Sequence, residues 1–131
     1  MIERIVENDI LIAIIIRDDY TNDGITFFTP DDFSQQLAYM SHKKGKIIDP
    51  HVHNKVVREV HFTQEVLIVK KGKIKVDLYD SDRKFLVEKV LGGGDIILLA
   101  NGGHGFEVLE DAEFLEVKQG PYTGDKDKTR F

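Results

Sequence analysis

The chain has 131 residues, which suits one domain (residues 1–131) around a single core. It is 41% hydrophobic and 31% charged with a formal net charge of -5, and it lacks the basic excess or stripe of a nucleic-acid binder. The absence of cysteine excludes disulfides, cysteine-based zinc sites and thiol nucleophiles, and is compatible with a reducing compartment. The longest apolar run, residues 10–16, is far too short to span a bilayer. Glu3, Glu7 and Asp9 stand where a signal peptide would carry basic residues, so the expected location is the cytoplasm, with no membrane partner.

In chain order, residues 10–17 form a β-branched run closed by Asp18-Asp19, and residues 24–28 a second short β-prone piece. One helix is predicted next. Thr29 is its cap, Pro30 its first helical residue, and Asp31 and Asp32 favour its first turn. Phe33, Leu37 and Met40 would share one face, and the helix would end between His42 and Gly45. Residues 65–69 and 74–79 flank Lys70-Lys71-Gly72-Lys73 in the pattern of a hairpin. Asp80-Ser81-Asp82 is the next turn, residues 85–91 the next strand, and Gly92-Gly93-Gly94 breaks it before residues 95–99. Asn101-Gly102-Gly103 turns the chain into residues 104–109, and Glu110-Asp111 turns it into residues 113–119. The polar tail, residues 120–131, is either frayed or laid over the body through Pro121, Tyr122 and Phe131. Many short strands with glycine-rich turns predict an all-β sandwich or barrel.

His51-Val52-His53 carries the strongest chemical signal. On a strand, residues two apart share a face, so both imidazoles would aim at one point. Imidazole is the commonest protein metal ligand, and a carboxylate with a third histidine would complete a site for iron, manganese, nickel or zinc. Glu65 heads an apolar strand and would share a face with Leu67 and Val69, where a carboxylate needs a partner or a metal. His104 follows a double glycine and leads Phe106 and Val108 on one face. Two exposed loop histidines, a solvated Glu65 and a structural His104 are the plainer alternatives.

His61 would share a face with Thr63 and Glu65 on a continuous strand, as a proton shuttle, substrate contact or alternative ligand; a surface loop histidine is the other reading. Glu59 could move protons beside it, and Arg58 could hold a carboxylate or phosphate. Tyr79, Phe106 and Gln119 are candidate substrate contacts. The glycine cluster is no phosphate loop, because no G-K-S/T or helix follows it, and there is no G-x-S-x-G nucleophile motif.

These residues resemble the cupin superfamily. Its first motif reads G, five residues, H-x-H, a gap, E, six residues, G, and matches Gly45, His51, His53, Glu65 and Gly72. The gap, residues 54–64, is longer than usual. The second motif reads G, five residues, P-x-G, two residues, H. Gly94, Ala100-Asn101-Gly102 and His104 match it, with alanine in place of proline and one residue fewer before the histidine. The resemblance covers residues 45–118 and extends in texture to small single-domain cupins of bacterial sugar metabolism.

It implies a double-stranded β-helix, or jelly-roll barrel, with one short helix outside it. By position, His51, His53, Glu65 and His104 match the family's usual ligands for one divalent metal ion. The function implied is metal-dependent chemistry on a small polar, sugar-like metabolite, by an oxygenase or an isomerase or epimerase. The alternatives are a non-catalytic metal- and ligand-binding cupin and a metal-free cupin acting on sugar nucleotides. The resemblance also implies a homodimer, for which residues 10–17 are the expected donor to the interface.

Overall fold

The computed structural model describes all 131 residues, and the chain divides into two compact units, Met1–Tyr20 with Phe62–Phe131, and Thr21–His61. The first unit holds strands β1 (Ile2–Glu7) and β2 (Ile10–Ile16), and the second holds β3 (Gly24–Phe27) and β4 (Ala38–Ser41). The first unit continues with β5 (Glu65–Tyr79), β6 (Phe85–Gly92), β7 (Ile96–Leu99) and β8 (Gly103–Lys118), and a short 3-10 turn at Gly124–Asp127. Every pairing is antiparallel. In the first unit the sheet follows the path β1-β2-β7-β5-β6, and β8 also pairs with β5. This is a curled half-barrel. The second unit contains the two-stranded sheet β3-β4.

β1 and β2 form a hairpin through Asn8 and Asp9, both at positive φ (50° and 62°), the conformation that matches the strands' right-handed twist. β2 lies between β1 and β7, and Ile12 to Ile16 are all buried, which explains its unbroken apolar run. It is therefore an inner strand, paired on both edges. The core joins Ile12, Ile15, Leu67, Ile74, Leu91 and Ile97 with their neighbours.

The predicted hairpin at residues 70–73 is not a reversal. β5 runs straight through it, and β8 likewise runs through Glu110-Asp111. The two strands bend together, with register shifts between Val69/Lys71, Lys71/Lys73 and Lys73/Ile74. These bulges change the phase of the pleat. The row of β5 in the core cluster is Leu67 and Val69 before the bend and Ile74, Val76 and Leu78 after it, and Val66 is also buried, on the opposite face. Gly72 sits in the bend at φ +84°, and a Cβ there would lie 2.1 Å from the Asp111 carbonyl oxygen. At the bend and just beyond it, Lys71–Glu113 (3.4 Å), Lys73–Glu110 (3.5 Å) and Lys75–Glu107 (3.0 Å) pair across the strands. Side chains that look like a polar turn in sequence thus form a solvated cross-strand ladder, each pair contributing little by itself.

The predicted helix is not formed. Thr29 Oγ1 accepts the amide of Leu37 (3.2 Å) instead of capping a first turn, and donates to Gln36 Oε1 (2.8 Å). The Gln36 amide donates to the carbonyls of Pro30 (2.8 Å) and Phe33 (2.9 Å), which a helix would have reserved for backbone amides. Ala38–Ser41 then pairs with Gly24–Phe27 as a strand. Local side-chain bonds and sheet pairing outweigh the capping pattern.

Arg17, just after β2, ties together several strands. Its Nε meets Glu3 Oε2 at 2.6 Å, and its Nη1 donates to Asp95 Oδ2 (3.1 Å) and to the Val90 carbonyl (2.7 Å). Lys89 Nζ reaches Glu3 Oε1 at 2.9 Å. Hydrogen bonding to Lys89, aided by Arg17 and against the effect of burial, holds the Glu3 carboxyl below the usual 4.5. A depressed folded-state value stabilises above the unfolded value, and that stabilisation is lost as pH falls through the folded one. Glu3→Gln should therefore destabilise the protein by about 1 kcal/mol at pH 7, with the gap to wild type closing below pH 4.5. Urea midpoints at pH 7 and pH 3 measure this; a gap independent of pH would show that Glu3 carries no such charge.

Candidate metal centre

Glu65 and His104 lie far apart along the β5–β8 ladder, where Glu65 is opposite Lys118 and His104 is opposite Leu78. In a flat ladder, thirteen residues would separate them by about 40 Å. In the curled sheet His104 Nε2 lies 3.3 Å from Glu65 Oε2. β7 accounts for the meeting. Leu99 is opposite Glu65, and the chain needs only the turn 100–103 to reach His104. That turn is lashed to β2. The amides of Ala100 (2.9 Å) and Asn101 (3.3 Å) donate to the Ile12 carbonyl, and Asn101 Nδ2 donates to that of Leu11 (2.9 Å). Gly102 passes over the Tyr79 carbonyl at φ +73°, where a Cβ would lie 2.1 Å from the oxygen.

Glu65 is mostly buried at 12% side-chain exposure, and His104 is exposed at 30%. The hydrogen bond from His104 lowers the Glu65 pKa against the opposing effect of burial, and the charges of His104, Lys118 and Lys128 add to the lowering. Glu65 is thus held as a carboxylate. Directly opposed residues share a face, so β8 sets His104, Phe106 and Val108 beside Leu78, Val76 and Ile74, and Phe114, Glu116 and Lys118 beside Val69, Leu67 and Glu65. Phe106 lies 5.4 Å from the His104 ring.

In the second unit, His51 and His53 have ring centroids 5.3 Å apart at 73°. Their segment is exposed and not a strand, yet the i, i+2 spacing brings the rings together. His51 Nδ1 lies 2.9 Å from the Asp49 carbonyl. A carbonyl only accepts, so in this contact Nδ1 is the donor. His61 Nε2 and Glu59 Oε2 are 3.8 Å apart with both side chains exposed, and Arg58 is also exposed. No three histidine or acidic side chains form a metal-holding group within either unit.

Tyr79 packs edge-on against Phe85 (5.9 Å) and Phe131 (5.0 Å), and Arg83 lies 5.5 Å over the Phe131 ring. The tail is laid down through Phe131 and a Thr63–Asp127 hydrogen bond, while Tyr122 is exposed. Gln119 takes its place by donating its backbone amide to the Gln64 carbonyl (3.0 Å). No motif in the sequence marks Phe114, Glu116 and Lys118, which share the Glu65 face. Their alternate spacing carries the signal once β8 is seen as one strand.

Comparison with family models, with curated proteins and with solved structures gave no match. The structure itself defines an all-β chain with a curled antiparallel half-barrel. No helix is long and apolar enough to cross a membrane.

Proposed function

We propose that the chain is a metal-dependent cupin acting on a small polar metabolite. The observation that carries this reading is the meeting of Glu65 and His104 at 3.3 Å from distant positions of one ladder. In this reading the half-barrel is the larger part of a jelly roll, working in the cytoplasm as a homodimer. His51, His53, Glu65 and His104 hold one divalent ion, of iron, manganese, nickel or zinc.

The donor set fits such an ion. It offers imidazole nitrogens with a carboxylate, His51 turns its Nδ1 to the Asp49 carbonyl, and His104 holds the Glu65 carboxyl ionised. Bound there, the ion would supply Lewis acidity toward a substrate oxygen, as an oxygenase or an isomerase or epimerase requires. The chain's own residues do the rest. Phe106 gives an apolar wall beside His104, and Lys118, opposite Glu65, offers a cation to an anionic or polyhydroxy substrate. His61 and Glu59 form an exposed pair able to exchange a proton. Arg58, Tyr79 and Gln119 are the remaining proposed substrate contacts.

Elemental mass spectrometry after reconstitution with ferrous, manganous, nickel or zinc ions tests the reading. Wild type should retain near-stoichiometric metal, and His51→Ala/His104→Ala should reduce occupancy at least about tenfold. Metal-free wild type, or a double variant that still loads, overturns the ligand set.

A further inference from the structure

The double glycine before His104 has two separate causes. Gly102 needs its positive φ and its bare Cα because it crosses the Tyr79 carbonyl. Gly103 is not at positive φ, so its backbone does not call for glycine. What fills the place of a side chain there is the ring of Phe131. A Cβ on Gly103 would lie 2.8 Å from Phe131 Cζ and 3.1 Å from Cε1. A glycine inside a strand weakens it and marks a close approach by another group. Gly103 is thus the floor of a seat for Phe131. Tyr79 meets the ring edge-on at 5.0 Å, and Arg83 lies over it at 5.5 Å.

This seat adjoins one member of the Glu65–His104 pair, since Gly103 is the residue before His104. A second anchor of the tail adjoins the other member. Asp127 accepts a hydrogen bond from the hydroxyl of Thr63, two residues before Glu65. The next residue, Lys128, is extended (φ -140°, ψ 153°), and its charge adds to the His104 hydrogen bond in lowering the Glu65 pKa. Five extended residues reach up to about 17 Å. That is enough to pass from one flank to the other of a pair whose polar atoms are 3.3 Å apart. All of these residues belong to the first unit.

We propose that residues 127–131 are a strap across the Glu65–His104 pair, fastened at Thr63 and at the Phe131 seat, that lifts to admit a ligand and closes behind it. Two weak fastenings suit this role. One hydrogen bond and one ring contact separate at small cost, while closing shields the charged pair from water. The strap rests on the proposed function in taking this pair as the ligand site; its docking is a property of the chain alone.

Carbethoxylation of His104 by diethyl pyrocarbonate tests the strap on the metal-free full chain, followed by peptide mass spectrometry. Phe131→Ala removes the ring, and Gly103→Ala blocks its seat. The added methyl meets the far end of the Phe131 side chain and makes only an ordinary contact with Tyr79 Cβ (3.4 Å), so the sheet should stay intact. Each variant should raise the His104 rate about fivefold with an unchanged circular dichroism spectrum. Both free the same ring, so the double variant should react no faster than either single one. Thr63→Val should also speed the reaction, by releasing the other end. A wild type that reacts as fast as Phe131→Ala overturns the strap, and a double variant showing the product of the two effects overturns the seat. Zinc release to a chelator should quicken in the same variants. Zinc uptake without protection of His104 overturns the strap and leaves the ligand set. Protection of His104 in a protein that takes up none of the four metals overturns the ligand set and leaves the strap.

Discussion

Gly72→Ala should lower stability by about 3–5 kcal/mol, enough to leave much of a marginally stable chain unfolded. Two effects combine. At φ +84° an alanine takes a left-handed backbone, with a strain of about 1–2 kcal/mol. Its Cβ would also lie 2.1 Å from the Asp111 carbonyl oxygen and 2.7 Å from Ala112 Cα. Both atoms are backbone, so the clash is relieved only by parting β5 from β8 where the two strands bend. Gly45→Ala is the control. Gly45 has φ +92° with nothing within 4 Å of a Cβ, so it should show the strain alone, about 1 kcal/mol. Urea unfolding of both variants measures the difference. Equal losses would show that β8 does not cross Gly72 this closely.

Asp95→Ala should cost about 2–4 kcal/mol. The Asp95 carboxylate accepts the amides of Asp18 (2.9 Å) and Gly92 (2.9 Å), and Arg17 Nη1 (3.1 Å). The residue is 9% exposed, so an alanine leaves these donors poorly reached by water. The backbone at the same point stitches β7 to β5, with Val69 donating to the Asp95 carbonyl (3.0 Å) and Gly94 to that of Val69 (2.7 Å). Loosening it should also disturb the turn 92–95. Asp95→Asn keeps one acceptor oxygen and should lose only about 1 kcal/mol. Thermal unfolding of the two variants separates lost acceptors from lost charge; an alanine variant as stable as the asparagine one would refute this account.

The strands were legible where apolar runs meet clear turn residues. Residues 10–17, 85–91 and 95–99 correspond closely to β2, β6 and β7. β1 was not anticipated, because Glu3, Arg4 and Glu7 mask its pattern; the Asn8-Asp9 turn was its one local signal. Lys70–Lys73 and Glu110–Asp111 look like turns because a polar stretch between apolar runs reads alike whether the chain reverses or passes through a solvated bend. Only the opposed lysines and glutamates distinguish the two, and that opposition is a property of the pair of strands. The helix failed for a similar reason, since nothing in Thr29-Pro30-Asp31-Asp32 announces that Gln36 will take the carbonyls a first turn needs. At the candidate site, the cupin resemblance set Glu65 and His104 together as metal ligands, and the structure shows the two side chains in contact as an ion pair. The curl that achieves it depends on bulges and on the anchoring of residues 100–101 to β2. The concave positions of Phe114, Glu116 and Lys118 followed only from the register.

The bend at Gly72 also sets a reading frame. Core-facing positions are odd-numbered in β5 up to Val69 and even-numbered from Ile74 to Leu78, so the segment between them is the frameshift that keeps both halves in phase. Length changes there are quantised. Two residues gained or lost preserve which side chains face inward, whereas a single residue would turn Ile74, Val76 and Leu78 to solvent and Lys73, Lys75 and Asp77 into the core. Variants of this chain lengthened or shortened at the bend should accordingly keep their core only for even steps.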